Sequence, residues 1–451
     1  MLHHFRTRNH KIKQPIMCSQ VRKFLFNLDI ETIARSSKFI QREARKISPQ
    51  NFILSFLLIF SKPNFSFRQW ACQLSLLISQ EVSFQGLSKR CSDRCLSFVE
   101  KVLEKAIKKQ LALHVKQGLF MKQFGRVLLE DSTCFLLSRS MLKAFSGAGN
   151  HKSKVAMCKT HYCYDLLTMN TLSYKMTKVN INDAKHSAAI LDHLKPNDLV
   201  LRDMGYLSNK VLNKISQMGA WFISKVKDNY KYYLPNTDEE FNLAKELKKI
   251  SRQRQTTFIK ELTIGKDKHL TATIVAVKLT NKQIDRRIKK YRKKNGTAKT
   301  MSKSKQELLE WSVFATNIEQ EKINIKQMFI LYSLRWQIEL MFKTWKSRFG
   351  INKLLEKYTG NDPNKILILF YLSLIFCVCV FRPMFIKYDE IMAKEYGKSL
   401  SPQKFASMIV NHLRELCKES KFIKNLVAKN ACIDKRKDRL NHNDLILSVH
   451  D

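Results

Sequence analysis

Tyr332, Arg335, Glu339, Lys343 and Lys346 recur at helical spacing within the stretch YSLRWQIELMFKTWKS, Tyr332–Ser347. On a helix turning about 100° per residue, with Tyr332 at zero, they fall in one sector between about −60° and about +20°. Leu334, Ile338, Met341 and Trp345 fall on the opposite side, the side with which a helix docks on a core. An ordinary amphipathic helix simply solvates its charged face. This face holds a single carboxylate among cations, and Arg and Lys around an acid lower its pKa and create a site attractive to phosphate. Trp336, at about +40° on the same wheel, borders the stripe.

Two further acids stand at the ends of apolar runs. GRVLLEDSTCFLL reads as a short strand ending in Asp131, and DLVLRDMGY as a buried strand ending in Asp203. Cleaving and rejoining phosphodiesters by in-line displacement is served by two divalent ions about 3.5–4 Å apart, one activating the nucleophile and one stabilising the leaving oxygen. Mg²⁺ takes hard oxygen ligands from a few carboxylates together with phosphate oxygens. Asp131 is the natural bridging ligand, flanked by Asp203 and Glu339. The rival acids are weaker candidates. Glu130 precedes Asp131 and must point to the opposite face of the strand, while Asp165, Asp183 and Asp192 read as turn or surface residues. His161 and His186 could approach the site but are assigned structural roles.

The elements that must position these acids alternate in a definite order. KVAMCKTHYCYDLLTMNTLSYKMTKV reads as two strands around TMN, AKHSAAILDHLK as a helix, SNKVLNKISQMG as a helix capped by Ser208, and AWFISKV and LLEWSVFATNI as strands. The result is a mixed α/β sheet with acids at strand ends, where such folds place their chemistry. Residues 1–120 lack strand alternation and read as a helical domain for DNA binding, in which SFQGLSKRCSDRCLSFVEKVLEKAI packs either as helix, turn and helix with Arg90, Arg94 and the lysines facing DNA or as a plain basic helical bundle. Residues 121–226 and 313–388 read as two parts of one α/β domain, separated at 227–312 by what looks like a β-rich, basic insertion. That insertion has a hairpin around GKDK and the run DRRIKKYRKKNG. Residues 389–451 form a helical, basic tail.

Composition agrees. The 451 residues carry 81 Lys plus Arg against 38 Asp plus Glu, a formal net charge of +43, and such a field calls for a polyanion. Eleven cysteines show no paired zinc-ligand spacing, so reduced, structural thiols and a cytosolic setting are expected. The start, MLHHFRTRNHKIKQ, lacks the apolar core of a signal peptide. ILILFYLSLIFCVCVF, Ile366–Phe381, falls short of the roughly 20 residues needed to cross a bilayer; a buried helix and no membrane partner are expected.

The order of acids and the motif Tyr332, Arg335, Glu339, Lys346, which fits Y-x2-R-x3-E-x6-K at every spacing, resemble the DDE transposases of the insertion sequence 4 family. RWQIE, KTWK, the EDST around Asp131 and the DMGY after Asp203 extend the resemblance over roughly residues 120–385. It implies a ribonuclease-H-like catalytic core interrupted by an insertion, with Asp131, Asp203 and Glu339 as catalytic metal ligands for two Mg²⁺, replaceable by Mn²⁺. It further implies Tyr332, Arg335 and Lys346 as DNA-backbone ligands, with Lys343 on the same face. Trp311 resembles the position from which relatives hold a flipped base, the alternative being a sheet residue facing the core. Lys225, in FISKVK, stands where relatives often carry Arg, keeping the charge but losing the planar fork. The implied partners are double-stranded DNA, as transposon ends and target, and a second copy of the chain in a homodimeric synaptic complex. The setting is the cytoplasm of a bacterium, in association with the nucleoid. Two rival readings share the triad: a nuclease that does not join strands, and a DNA-binding remnant that does not cut.

Overall fold

The computed structural model describes residues 27–42, 46–60, 65–110, 123–150, 153–227, 230–265, 270–295 and 301–434. The N-terminal start, the last three residues of GKDK and the end of the tail lie outside them. In chain order the helices α1 (Ile30–Ser36), α2 (Pro49–Ile59), α3 (Phe67–Ile78), α4 (Phe84–Arg90) and α5 (Asp93–Lys108) come first. The strands β1 (Val127–Leu136), β2 (Ser146–Asn150), β3 (Ser153–Asp165) and β4 (Thr171–Lys178) follow. Then come the single turn α6 (Asp183–His186), β5 (Leu199–Arg202), α7 (Asn209–Gln217), β6 (Trp221–Lys225), β7 (Tyr232–Tyr233) and β8 (Glu240–Phe241). The sequence continues with α8 (Leu243–Arg252), β9 (Thr257–Ile264), β10 (Leu270–Lys278), α9 (Asn281–Asn295), α10 (Lys303–Leu309) and β11 (Trp311–Thr316). It closes with α11 (Ile325–Ser333), α12 (Trp336–Ser347), α13 (Ile351–Glu356), α14 (Pro363–Phe376), α15 (Arg382–Tyr396), α16 (Pro402–Leu416) and α17 (Lys421–Asn430).

Internal contacts divide the chain into two units, 1–111 with 137–144 and 341–435, and 112–136 with 145–340 and 436–451. Residues 227–312 fall in the same unit as the strands around them. In the first unit, Phe52 and Phe56 of α2, Phe60 at its C-cap and Trp70 of α3 pack as an aromatic cluster that Phe349 and Phe376 extend. The Trp70 indole donates to Ser55 Oγ at 2.9 Å, so the buried ring leaves no donor stranded. Asp362 caps α14 by accepting from Asn364 N, with Pro363 supplying the fixed φ of a first helical residue. The apolar run lies in a continuous helix, Pro363–Tyr396, through a π-helical turn over Cys377–Phe381. At 34 residues it is long and apolar enough to cross a membrane, but 89% of its most apolar window is buried inside the protein. α4 and α5 follow one another as helix, turn and helix, and Arg90 faces inward. Its guanidinium lies over Phe39 and donates to the Ile47 carbonyl, because a cation half-covered by neighbours needs a ring and a carbonyl more than solvent.

The second unit is built on one sheet of eleven strands, ordered β2-β3-β1-β5-β6-β11-β10-β9-β7-β8, with β4 on the outer side of β3. β1 runs antiparallel to β3 and parallel to β5, β5 parallel to β6, and β3 antiparallel to β4. β4-β3-β1-β5-β6 is thus the mixed ribonuclease-H-like order. β11 joins β6 antiparallel and carries β10 and β9 with it, so the insertion extends the same sheet. Alongside its strands the insertion holds α8, α9 and α10, more helix than a largely β segment. The AKHSAAILDHLK stretch is α6 followed by a 3₁₀ run over Ser187–His193 instead of one helix. Ser208 does occupy the N-cap of α7, without a side-chain bond.

Candidate active site

Asp131 lies within β1, where the parallel partner stops. β1 pairs with β5 up to Glu130–Arg202, while its ladder with β3 continues to Leu136. The strand therefore does not end at Asp131, as the sequence suggests; only its β5 side opens there. β5 itself ends at Arg202, so Asp203 leaves the sheet one position beyond the level of Glu130. Both aspartates stand at the carboxyl end of β5, the end at which parallel strands open onto a crevice.

The helix bearing the third acid is broken. The α-helical ladder stops at Ser333 and restarts at Trp336, with i→i+3 bonds from Arg335 N to Tyr332 O and from Ile338 N to Arg335 O between. Tyr332 thus closes α11, whose start is fixed by an Asn324–Gln327 capping box, and Glu339 lies in the first turn of α12. A single wheel across the whole stretch is therefore only approximate. Its grouping holds, because the intervening turn stays helical in sense.

Arg335 gathers the acids. Its Nη1 donates to Asp131 Oδ2 at 3.0 Å and its Nη2 to Glu339 Oε1 at 2.5 Å, a fork that spans two carboxylates from distant parts of the chain. The Tyr332 hydroxyl points at Asp203 Oδ1 from 3.5 Å, long for a hydrogen bond, and its ring packs edge-on against Phe314 of β11. Burial pushes the Asp131 carboxyl up to about 6, with Asp203 and Glu339 adding to the rise and the Ser132 N–H and Arg335 opposing it. Arg335 is held charged against its own burial by the carboxylates of Glu339 and Asp131.

Carboxylate oxygens are the donors a hard divalent cation takes, and the mutual charge coupling of Asp131, Asp203 and Glu339 is the repulsion such a cation relieves. Among the described residues no three His, Cys, Asp or Glu side chains are already spaced as a cage. The reason is visible in the fork: a guanidinium answers the charge of two of the three acids. The donor set fits the metal, provided that Arg335 yields to it.

The remaining candidates separate. Lys343 and Lys346 lie further along α12, Lys343 exposed and Lys346 partly buried. Trp336 opens α12 and is 55% exposed. Lys225 ends β6, one position beyond the Arg202–Ser224 pair and so level with Asp203. Trp311 is corrected to core. At 1% exposure it sits among Leu262, Ile274 and Val313 in the apolar cluster of the unit. Burial on β11 leaves its ring no free face on which a base could stack.

Glu130 points away from Asp131, as alternation requires, and pairs with Arg202 at 2.6 Å, both buried. Burial nevertheless pushes its carboxyl up to about 7. Asp165 is a turn residue, accepting from Leu167 N and Thr168 Oγ1, and Asp192 is exposed. Asp183, a turn or surface residue by its sequence, accepts from Ser132 and Lys159. His161 and His186, also set aside, stack with centroids 4.1 Å apart beside it. No spacing marks these three, because they meet only when β3 and the loop before β5 fold onto one another.

Residues 122–373 match the family model described as Transposase DDE domain. The chain is 27% identical over 403 residues to the transposase for insertion sequence element IS231B of Bacillus thuringiensis subsp. berliner, covering 85% of this chain and 82% of that one. To the transposase for insertion sequence element IS1151 of Clostridium perfringens it is 29% identical over 346 residues, 72% of each. The cryo-EM structure of a piggyBac transposase synaptic complex with hairpin DNA aligns with a TM-score of 0.45 and 12% identity, over 96% of this chain and 88% of that one.

Proposed function

The chain belongs to the Transposase DDE domain family, and from that premise we infer an insertion-sequence transposase of the insertion sequence 4 type that cleaves DNA and transfers its strands with a divalent metal. The reading is carried by one observation: Arg335 bonds Asp131 and Glu339 together while Tyr332 approaches Asp203, so three residues of the motif meet the two aspartates.

In this reading Asp131, Asp203 and Glu339 are the catalytic residues and hold two Mg²⁺, with Mn²⁺ as a substitute. Bound there, the cations supply Lewis-acid stabilisation of charge on the phosphate and the attacking oxygen. Arg335 turns its planar fork from the carboxylates to a phosphate when DNA arrives, a geometry that Lys could not reproduce. Lys343 and Lys346 offer point charges to the backbone, and Lys225 offers another beside Asp203. Tyr332 packs edge-on against Phe314 and turns its hydroxyl towards Asp203, a packing role beside the DNA contact that the resemblance implies. Trp336, exposed at the start of α12, takes the base-stacking part once expected of Trp311. The sequence of events is cut-and-paste. Water opens a phosphodiester at the transposon end, and the freed 3′-hydroxyl attacks in turn, with a hairpin on the opposite strand as one route, before joining target DNA. Two ends must be held together, which calls for a homodimer acting on double-stranded DNA in the bacterial cytoplasm, at the nucleoid.

The test uses as substrate the DNA on either side of the gene, in which this reading expects inverted repeats. Asp131→Asn, Asp203→Asn and Glu339→Gln are each expected to reduce Mg²⁺-dependent nicking to background while retaining binding to the end. Full cleavage by any one of them removes that residue from the triad.

A further inference from the structure

The reverse side of β1 carries a polar network that cutting and joining do not use. Successive side chains alternate between the faces of a strand, so Ser132 points away from the face of Asp131. In the ladder it stands opposite His161, as Cys134 stands opposite Lys159. Asp183, the first residue of α6, comes down on this face. Its Oδ1 accepts from Ser132 Oγ at 2.9 Å and from Lys159 Nζ at 3.2 Å, and lies 3.7 Å from His161 Nδ1. Lys159 Nζ also donates to the Ile181 carbonyl at 2.8 Å, tying the approach to Asp183 to the same strand. The other oxygen lies against the turn after Asp203: a Cβ on Gly205 would stand 3.4 Å from Asp183 Oδ2. His161 Nδ1 meets the hydroxyl of Tyr206, in that turn, at 3.0 Å.

One carboxylate therefore touches the strand of Asp131, the strand beside it and the turn that Asp203 begins. Its link to Asp131 passes through a single residue. Ser132, pinned by its hydroxyl to Asp183, donates its backbone N–H to Asp131 Oδ1 at 2.8 Å.

We propose that Asp183 is a positioning residue for the divalent-metal site, fixing through Ser132 and the Met204–Tyr206 turn the directions in which Asp131 and Asp203 present their oxygens. The proposal rests on the reading of those aspartates as metal ligands. Asp183 works from the far face of the sheet and contributes no ligand oxygen. Groups that orient metal ligands cost about tenfold to a hundredfold in metal affinity when removed.

Titrating Mn²⁺ calorimetrically into the full-length protein without DNA tests this. Wild type is expected to bind, Asp131→Asn to lose that binding, and Asp183→Asn and Ser132→Ala each to weaken it by about tenfold or more. The Asp183→Asn/Ser132→Ala double variant is expected to bind no worse than the weaker single variant, as two members of one connection should. Ser132→Ala removes a single hydroxyl, so it carries the test if Asp183→Asn melts early in chelator. Unchanged affinity in both variants overturns the proposal, as do additive losses, and a loss in Asp183→Asn as complete as in Asp131→Asn makes Asp183 a ligand instead. Wild-type binding that Asp131→Asn leaves intact overturns the metal-site reading beneath it.

Discussion

At the scale of single residues, charge and burial decide which candidates can do chemistry. Glu130 and Asp131 are neighbours of nearly identical type, yet one is spent on a buried pair with Arg202 and the other faces Arg335 and the other two acids. The pleat of the strand makes that division. Two tryptophans divide in the same way. Trp311, buried among aliphatic side chains with its indole N–H unpartnered, should cost about 3–5 kcal/mol of stability when truncated to Ala, the range for large aromatics in a core. Trp336→Ala, at an exposed position, should change stability by no more than about 0.5 kcal/mol while impairing the steps after the first nick. Urea denaturation of both variants, alongside nicking and hairpin assays, checks the pair. A stable Trp311→Ala with a selective later-step defect would return the stacking role to Trp311.

At the scale of elements, α9 presents a basic face. Its inner side carries Ile284, Ile288 and Tyr291, each partly buried, and Arg287, which donates to the Trp311 carbonyl at 2.6 Å and to Ser312 Oγ at 3.1 Å. On the opposite side Lys282, Arg286, Lys289 and Lys293 are all exposed, and on a wheel they span only about 60°. A helix anchored by one arginine and lined outside with four cations suits a run of phosphates. Each phosphate neutralised contributes about 0.9 to the slope of log affinity against log salt on B-form DNA. Replacing all four with Gln should therefore make that slope shallower by up to about 3.6. An unchanged slope would mean that this face is merely solvated. The break between α11 and α12 is the other lesson at this scale. Glu339 sits in a first turn because the ladder restarts at Trp336, and no proline or glycine in the stretch announces it.

At the scale of the whole molecule, the long apolar helix and the net charge of +43 pull towards different environments. Burial resolves the conflict. With 89% of its apolar window covered by the protein, the Pro363–Tyr396 helix has little surface left to offer lipid, and inserting it would mean dismantling the aromatic cluster around Phe349 and Phe376. Fractionation of expressing cells should leave the protein in the soluble or nucleic-acid-bound fraction, released by high salt. Recovery in membranes washed with salt and alkali would reverse this assignment.

Much of the catalytic half was legible in the chain because its signals are local. Apolar runs marked β1, β5, β6 and β11, helical spacing grouped Arg335 with Glu339, and strand alternation alone separated Glu130 from Asp131. Strand parity could not be read for Trp311, since a continuously buried strand such as β11 shows no alternation to read. Nor could any spacing have disclosed that Arg335 clasps Asp131, or that Asp183 reaches Ser132 behind it. Those contacts join segments far apart in sequence and exist only once β1, β3 and β5 lie side by side. The sequence by itself determined which residue types were available for phosphoryl chemistry and on which elements they would ride. Only the tertiary structure decided which acids face one another, because that depends on sheet order and register, and these are settled by packing between distant strands.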